Sequence, residues 1–461
     1  MPEFDLVIQG GSLVTHENVT RMDIGIRGEN IAAWGTNLEG KETIDASGLL
    51  VLPGGVDPHV HLQMPTPTTI TSDDWNSGTL AAACGGTTTV IDFVEPNPGQ
   101  SLQDALQQRK AEANDSSWVD FALHMTITDS SDETLKQIPA MMKAGVSSFK
   151  LYTTYDGMKL DYPGIFIVMK KISASGGICM VHAEDDLLIQ RATQNLISEG
   201  RIAPQNFPFS RPPSAELEAV NQCIELAWES KVNLYLVHLS TSQSIRAVSV
   251  ARYNHIKVIA ETCPQYLLLD QQAILHGSAI EAAALVCSPP LREVFEKELI
   301  WNALEIGQIQ SVGSDHCSFR IHPQKEIGLG DFRKVPGGLP GIELRYPLMH
   351  TYGVLNQCIS LQNWVNICST QPAKIFGIFP QKGSLAVGSD ADIVLFDPQK
   401  KLTINPELLH EQVDYSPYNG VELTGYPVMT IVKGQVLIKD GNFIEQKKSG
   451  KFLHCGLPEF M

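Results

Sequence analysis

Between about residues 52 and 375, short apolar runs alternate with longer segments of helical period. Candidate strands lie at 51–57, 87–93, 120–127, 146–151, 177–182, 233–238, 256–261 and 309–314. Candidate helices fall between several of them, at 101–113, 132–144, 163–175, 214–230, 241–253 and 293–306. In AELEAVNQCIELAWES (215–230) the apolar residues recur at three and four positions, the period of an amphipathic helix. A strand–helix unit repeated eight times is what a closed α/β fold of the (β/α)8 TIM-barrel type requires. The alternative is an open doubly wound sheet, which normally carries a Gly-rich nucleotide loop after its first strand. Here that loop reads HVHLQ, and neither GxGxxG nor GxxxxGK[ST] occurs anywhere. The barrel is the expected fold.

The two ends of the chain are written differently. The first 36 residues alternate strand-like runs with glycine turns, and Arg27-Gly28-Glu29-Asn30 reads as a hairpin turn. The same style returns at 384–397 and 428–444. Neither end is long enough to make a comfortable sheet core alone. One small, β-sandwich-like domain is therefore expected from both termini, residues 1–51 and 378–461. The barrel, 52–377, is inserted between them, an arrangement that close-lying termini favour.

Composition narrows the function classes. At 461 residues, 43% apolar and 18% charged, with a mean hydropathy of −0.05, the chain has ample core and no mark of disorder. Acidic residues outnumber basic ones 51 to 34, for a net charge of −17. Nucleic acids and anionic membrane surfaces reward concentrated positive charge, so neither is expected as a partner. The nine cysteines are scattered, odd in number and form no CxxC pair, which fits a reducing cytosol rather than a disulfide scaffold. The opening MPEFDLVIQGG is acidic where a signal peptide is basic, and no apolar stretch reaches membrane-spanning length. A cytoplasmic location is expected.

The chemistry lies in the polar residues at strand ends. His59 and His61 follow the first strand, Lys150 ends the fourth, His182 the fifth and His238 the sixth, and Asp315 follows the eighth. In a barrel these ends converge on one rim. In an extended segment, side chains at i and i+2 point the same way, about 6–7 Å apart at Cα, so His59 and His61 can reach one divalent ion. An isolated HxH would read as two surface histidines; three further strand-end candidates in order change that reading. His182 and His238 end the apolar runs ICMVH and LYLVH. Each alone would pass for a core histidine bonded to backbone, but neutral imidazole is a preferred Zn²⁺ ligand. Four histidines plus a carboxylate can feed two ions.

Lys150 is the odd member, because an ammonium repels cations and has no lone pair to offer. Two readings stay open. It is an ordinary lysine paired with a carboxylate, or its nitrogen carries CO2 as a carbamate whose two oxygens bridge two metals. The carbamate needs an unprotonated amine, which burial and nearby cations favour. Asp315 reads either as a surface aspartate opening a loop or as a ligand that also accepts a proton from metal-bound water. Two divalent ions about 3.5–4 Å apart make hydroxide available near neutral pH. Asp57, Asp92 and Glu95 are expected to be supporting or structural acids, Asp185 and Asp186 helix caps, and His124 a residue within its strand. For His316, adjacent to Asp315, a surface or supporting role and direct ligation are left equally open.

These residues carry a resemblance. His59-Val60-His61, Phe149-Lys150, His182-Ala183-Glu184, Val237-His238 and Gly313-Ser314-Asp315-His316 together resemble the cyclic amidohydrolases, most closely dihydropyrimidinase and the microbial hydantoinases. The likeness runs essentially end to end. It includes GGVDPHVHLQM (54–64), ACGGTTTVIDF (83–93), SSFKLYTTYDG (147–157), ETCPQYL (261–267), SPPLR (288–292), SDHCSF (314–319), PAKIFGIFPQKG (372–383) and VGSDADIVLFDP (387–398). The resemblance implies a barrel with a second domain from both termini, a binuclear zinc centre, and a homotetramer or homodimer. His59 and His61 would bind the more buried metal and His182 and His238 the more exposed one. Carboxylated Lys150 and a hydroxide would bridge them. Asp315 would ligate the buried metal and shuttle protons, Tyr155 would stabilise the oxyanion, and Ser288 would hold the substrate's imide through its backbone. The family commonly has Pro-Asn-Gly-x-Pro-Gly where this chain has Pro336-Gly337-Gly338-Leu339-Pro340-Gly341. Gly337 therefore stands where an Asn main chain contacts the ring, and glycine loosens the loop. Tyr152 also departs from the usual wording and is expected to shape the exocyclic pocket.

The activity implied is hydrolytic opening of a small cyclic ureide, a dihydropyrimidine or a 5-substituted hydantoin, to an N-carbamoyl amino acid. Allantoinase is the nearest alternative. An obligatory carboxylate substrate, as in dihydroorotase-like enzymes with HxHxR, is disfavoured by Gln63 in the arginine's place. The alternative of another class is a non-enzymatic scaffold related to dihydropyrimidinase, which the presence of all six ligand positions disfavours.

Overall fold

The computed structural model describes residues 3–444 and 446–459. Eight parallel strands run in chain order around a barrel: Gly55–Val60, Thr87–Val94, Asp120–Thr126, Ser148–Tyr152, Ile178–His182, Asn233–Leu236, Val258–Thr262 and Ser311–Val312. They are buried on both faces, which is why they read as continuous apolar runs rather than alternating ones. The seam between first and last strands closes just beyond their ends, where His61 N donates to His316 O at 2.8 Å. All six predicted helices form, at Leu102–Ala113, Asp132–Lys143, Tyr162–Ser175, Pro213–Ser230, Ser242–Tyr253 and Val294–Glu305. A helix at Trp75–Cys84 was not expected. Its WNSGTLAAAC is small, uncharged and buried on nearly all sides, so it lacks the polar face that gives an amphipathic period.

The predicted strand 51–57 is really two. Leu50–Pro53 pairs with Ile393–Phe396 and Ser12–Leu13 in a seven-stranded sheet outside the barrel. Gly55–Val60 then starts the barrel, so His59 lies within the strand rather than after it. The handover needs glycine, since a Cβ on Gly54 would stand 2.0 Å from Thr88 Oγ1. The eighth strand is shorter than the predicted 309–314, because only Ser311 and Val312 pair with the seventh.

The seven-stranded sheet draws strands from both ends of the chain: Ser12–Val14, Val19–Arg21 and Leu50–Pro53 with Ile393–Thr403, Glu422–Val432, Gln435–Lys439 and Asn442–Phe443. A four-stranded sheet, Phe4–Gln9, Asp23–Arg27, Asn30–Gly35 and Gly40–Asp45, packs on it through Ile8, Leu13, Ile24, Val51, Ile393 and Ile431. The hairpin turn at Gly28-Glu29 is present, with Arg27 opposite Asn30. Among the described residues, no helix is long and apolar enough to cross a membrane.

The C-terminal segment closes the barrel end where the strands start. Phe121 N donates to Lys451 O at 3.0 Å and Leu453 N to Phe121 O at 2.7 Å, and Leu453 and Cys455 pack among Met180, Tyr235 and Phe376. Beside this closure, Asp120 binds Lys382 Nζ at 2.7 Å, Lys433 Nζ at 2.5 Å and Lys451 N at 2.7 Å. Both lysines are buried, and Lys382 also meets Asp390 and Asp392. Removing one partner of a buried pair strands the other charge. Asp120→Ala is expected to cost about 3–5 kcal/mol in denaturant unfolding. The residues expected to carry chemistry follow the other ends of the strands, so the loss should be confined to stability.

Candidate active site

The strand C-termini open into a cavity of about 1360 Å³. All nine residues singled out by sequence line it: His59, His61, Lys150, Tyr155, His182, His238, Ser288, Asp315 and Gly337. Two donor clusters stand side by side. In the first, ligand atoms of His59, His61 and Asp315 all lie within 4.8 Å of one another. Asp315 Oδ1 is 3.2 Å from His59 Nε2 and 3.4 Å from His61 Nε2. In the second, His182 Nδ1 and His238 Nε2 are 3.0 Å apart. The rings of His59 and His238, one from each cluster, have centroids 5.3 Å apart. Lys150 is 1% exposed. Its Nζ stands 5.1 Å from the Phe93 ring, which itself stacks on His61.

Carboxylates behind the rings fix their orientation. Glu261 Oε1 lies 2.8 Å from His59 Nδ1, leaving Nε2 toward Asp315. The same carboxylate accepts from His238 N at 2.9 Å and Tyr235 Oη at 2.7 Å. Glu184 Oε2 lies 2.8 Å from His182 Nε2, leaving Nδ1 toward His238, and also binds Arg211. A carboxylate on the far imidazole nitrogen is the usual support of a metal-ligating histidine. Sequence reasoning assigned no role to Glu261, Glu184 or Arg211. Glu261 was nonetheless visible as the last residue of the predicted seventh strand, and Glu184 as part of His182-Ala183-Glu184.

Electrostatics keep the cluster ready to bind cations. Burial holds His59, His182 and His238 below the ordinary histidine pKa, so they are neutral lone-pair donors. Burial also pushes Lys150 down to about 8. Burial would raise Asp315, but the hydrogen bond from His61 helps offset it and the carboxyl stays below its ordinary value. Nδ1 of His61 and Nδ1 of His238 are buried without a hydrogen-bond partner. Those two nitrogens lie on the far side of their rings; toward the cluster face His61 Nε2, His182 Nδ1, His238 Nε2 and the Asp315 carboxylate, and a divalent cation suits this donor set.

Three of the site residues hold left-handed backbone conformations: Tyr155 at φ 78°, His238 at 40° and Asp315 at 50°. Non-glycine residues tolerate this rarely, and such strain gathers at functional sites. The Tyr155 ring lies 4.9 Å beneath the Arg211 guanidinium. Burial pushes its hydroxyl up to about 12, so it stays a proton donor. A Cβ on Gly337 would stand 3.9 Å from Ser288 Oγ with nothing nearer, so space for a larger residue exists there.

Asp57, Asp92, Asp185, His124 and His316 hold structure, whereas Glu95 lines the cavity. Asp57 accepts from His59 N and Ser314 N, and Arg345 lies 3.5 Å from it. Asp92 pairs with Arg109 and accepts from Leu62 N. Asp185 caps the helix Asp186–Ser198, whereas Asp186 binds Lys159 at 2.6 Å instead of capping. His124 bridges Ser148 and Pro58 O. His316 is fully buried, facing Asp73 at 3.1 Å, and so is not a surface residue.

The family model described as "Amidohydrolase family" matches residues 50–437. The D-hydantoinase of Geobacillus stearothermophilus is 40% identical over 451 residues, 97% of this chain and 96% of the relative. The chain belongs to the amidohydrolase family. This amidohydrolase is an enzyme, a cyclic amide hydrolase. The dihydropyrimidinase from Brevibacillus agri NCHU1002 superposes with a TM-score of 0.96 at 38% identity, covering 98% of this chain and 99% of the other. The L-hydantoinase (dihydropyrimidinase) from Arthrobacter aurescens follows at 0.90 and 30%, over 98% and 100%.

Proposed function

We propose that this amidohydrolase opens cyclic ureides, dihydropyrimidines such as dihydrouracil or 5-substituted hydantoins, to N-carbamoyl amino acids. The observation that carries the reading is the convergence of His59, His61, Lys150, His182, His238 and Asp315 on one cavity wall. These six residues, with Lys150 carboxylated, would hold two divalent cations, Zn²⁺ by ligand type. When bound, the cations supply hydroxide near neutral pH by lowering the pKa of water.

The chain's own groups do the rest. Ser288 and Gly337 hold the ring by backbone contacts. Tyr155, protonated and braced by Arg211, donates to the oxygen that gains charge as the carbonyl is attacked. Asp315 takes a proton from the attacking water and returns it to the departing ring nitrogen, as one group acting as base and then acid can. Tyr152, 5.9 Å from Tyr155 between ring centroids, borders the space for the exocyclic substituent. All nine cysteines are unpaired, which supports a reducing, cytoplasmic setting. A homotetramer or homodimer is the assembly we expect.

The hydantoinase and dihydropyrimidinase names among the relatives support this reading over allantoinase. The test is metal analysis with a turnover panel of dihydrouracil, dihydrothymine, allantoin and both enantiomers of 5-phenyl- and 5-isopropylhydantoin. Turnover of a dihydropyrimidine or hydantoin with about two metal ions per chain is expected. Rapid opening of allantoin alone would replace the assignment.

A further inference from the structure

Among the buried lysines, Lys325 has no acid to neutralise it. Lys382 and Lys433 meet aspartates, and Lys150 belongs to the metal cluster. Lys325 is 0% exposed, and among the described residues its Nζ has only carbonyl partners, Ala283 O at 3.2 Å and Val286 O at 3.1 Å. An ammonium held this way is costly to bury, and burial pushes its pKa down to about 7. A residue so costly to keep calls for a return elsewhere in the molecule.

Its partners show where. Both carbonyls lie in the segment leading into Ser288, and the Val286 carbonyl also accepts from Gly338 N at 3.0 Å. The segments carrying Ser288 and Gly337 therefore meet at one oxygen, held from behind by Lys325. The fit is close: Gly338 has φ 153°, and a Cβ there would stand 2.4 Å from Cys317 O. The preceding residue extends the clip. Gln324 Nε2 donates to Thr69 Oγ1 at 2.8 Å and Ile70 O at 2.7 Å, fixing the segment that follows the cavity wall at Met64–Thr68.

We infer that Lys325 is a positioning residue for the substrate, setting through the Val286 carbonyl the gap between Ser288 and Gly337. The inference rests on the functional reading above. Lys325 does not line the cavity and hydrogen-bonds none of the proposed metal ligands, so its effect belongs in binding. An error of about 1 Å in such a gap weakens a bound geometry substantially.

Lys325→Met tests this, because methionine fills similar space without donors or charge. We expect KM for dihydrouracil to rise about tenfold or more with kcat within about threefold. Metal content should be unchanged. Tm should be equal or higher, since an unneutralised buried charge has gone. Lys325→Gln, which keeps an amide donor, should give an intermediate KM, and it carries the test if the methionine variant does not fold. A KM within about twofold of wild type in both variants, or a fall confined to kcat, overturns the inference. Calorimetry of dihydrouracil binding to the metal-free proteins makes the same comparison without turnover. A metal-loaded wild type that binds the ring and does not open it defeats the functional reading alone. Equal affinity in wild type and variants defeats this one.

Discussion

Lys150→Ala is expected to drop metal content from about two ions per chain to well below one, and turnover by on the order of 10³-fold or more. The expectation follows from where the lysine stands. Its Nζ is buried beside Phe93 and Tyr152 at a wall otherwise made of imidazoles and Asp315. As an ammonium it would repel cations bound by those groups. With its pKa pushed down to about 8 by burial, far more of the amine is free near neutral pH than in an ordinary lysine. The free amine attacks CO2, forming an N–C bond and releasing one proton. The product is an anion with two oxygens, a second carboxylate-like donor on the same wall as Asp315. Lys150→Arg separates charge from carbamate chemistry, because guanidinium stays protonated and cannot take up CO2. It should fail as completely as alanine. Wild type exposed to ¹³C-labelled bicarbonate should show a carbamate carbon resonance that both variants lack. Full metal and activity in either variant would end the carbamate assignment.

Much of this architecture was legible in the chain because barrels encode themselves redundantly. Each strand is a short apolar run, each helix has its own period, and the helix limits fall within about two residues of those read from spacing. What escaped lacked a local signal. The strand at 51–57 looked continuous because both of its halves are apolar. Only the tertiary setting shows Leu50–Pro53 leaving for another sheet at Gly54. The helix Trp75–Cys84 was hidden for the opposite reason, having no polar face to set a period.

The site divides in the same way. Ligand candidates were found because strand-end position and residue type together restrict chemistry, and those positions converge on one cavity. Their supports were harder to find. Glu261 at a strand end does not announce whether it faces the cavity or the far nitrogen of a histidine, which depends on the neighbouring strand. Arg211 reaches Glu184 and Tyr155 from a loop remote in sequence. The left-handed conformations of Tyr155, His238 and Asp315 have no sequence mark, since nothing but packing enforces them. Lys325 looked like any lysine until its environment showed no acid partner.

Asp315→Asn should lower kcat by about 10²–10⁴-fold, the usual worth of a positioned proton-transfer group, while keeping most of the metal. Asparagine retains a carbonyl oxygen near His59 and His61, where Asp315 Oδ1 now lies at 3.2 and 3.4 Å, but it cannot carry a proton between water and ring nitrogen. Asp315→Ala removes the oxygen too and should lose metal as well as rate. The two variants therefore part ligation from proton transfer. The Asp315 carboxyl stays below its ordinary value despite burial, with the His61 hydrogen bond among the causes, so it is ionised throughout the neutral range. An acid limb in the wild-type pH profile near neutrality must then come from another group, and Asp315→Asn should leave that limb in place at reduced height. Leaving-group chemistry supplies a second check. The ring nitrogen of a hydantoin is more acidic than that of dihydrouracil and needs less help to depart, so the asparagine defect should be smaller for hydantoins. A defect equal for both rings, with metal intact, would mean that Asp315 ligates without delivering the proton.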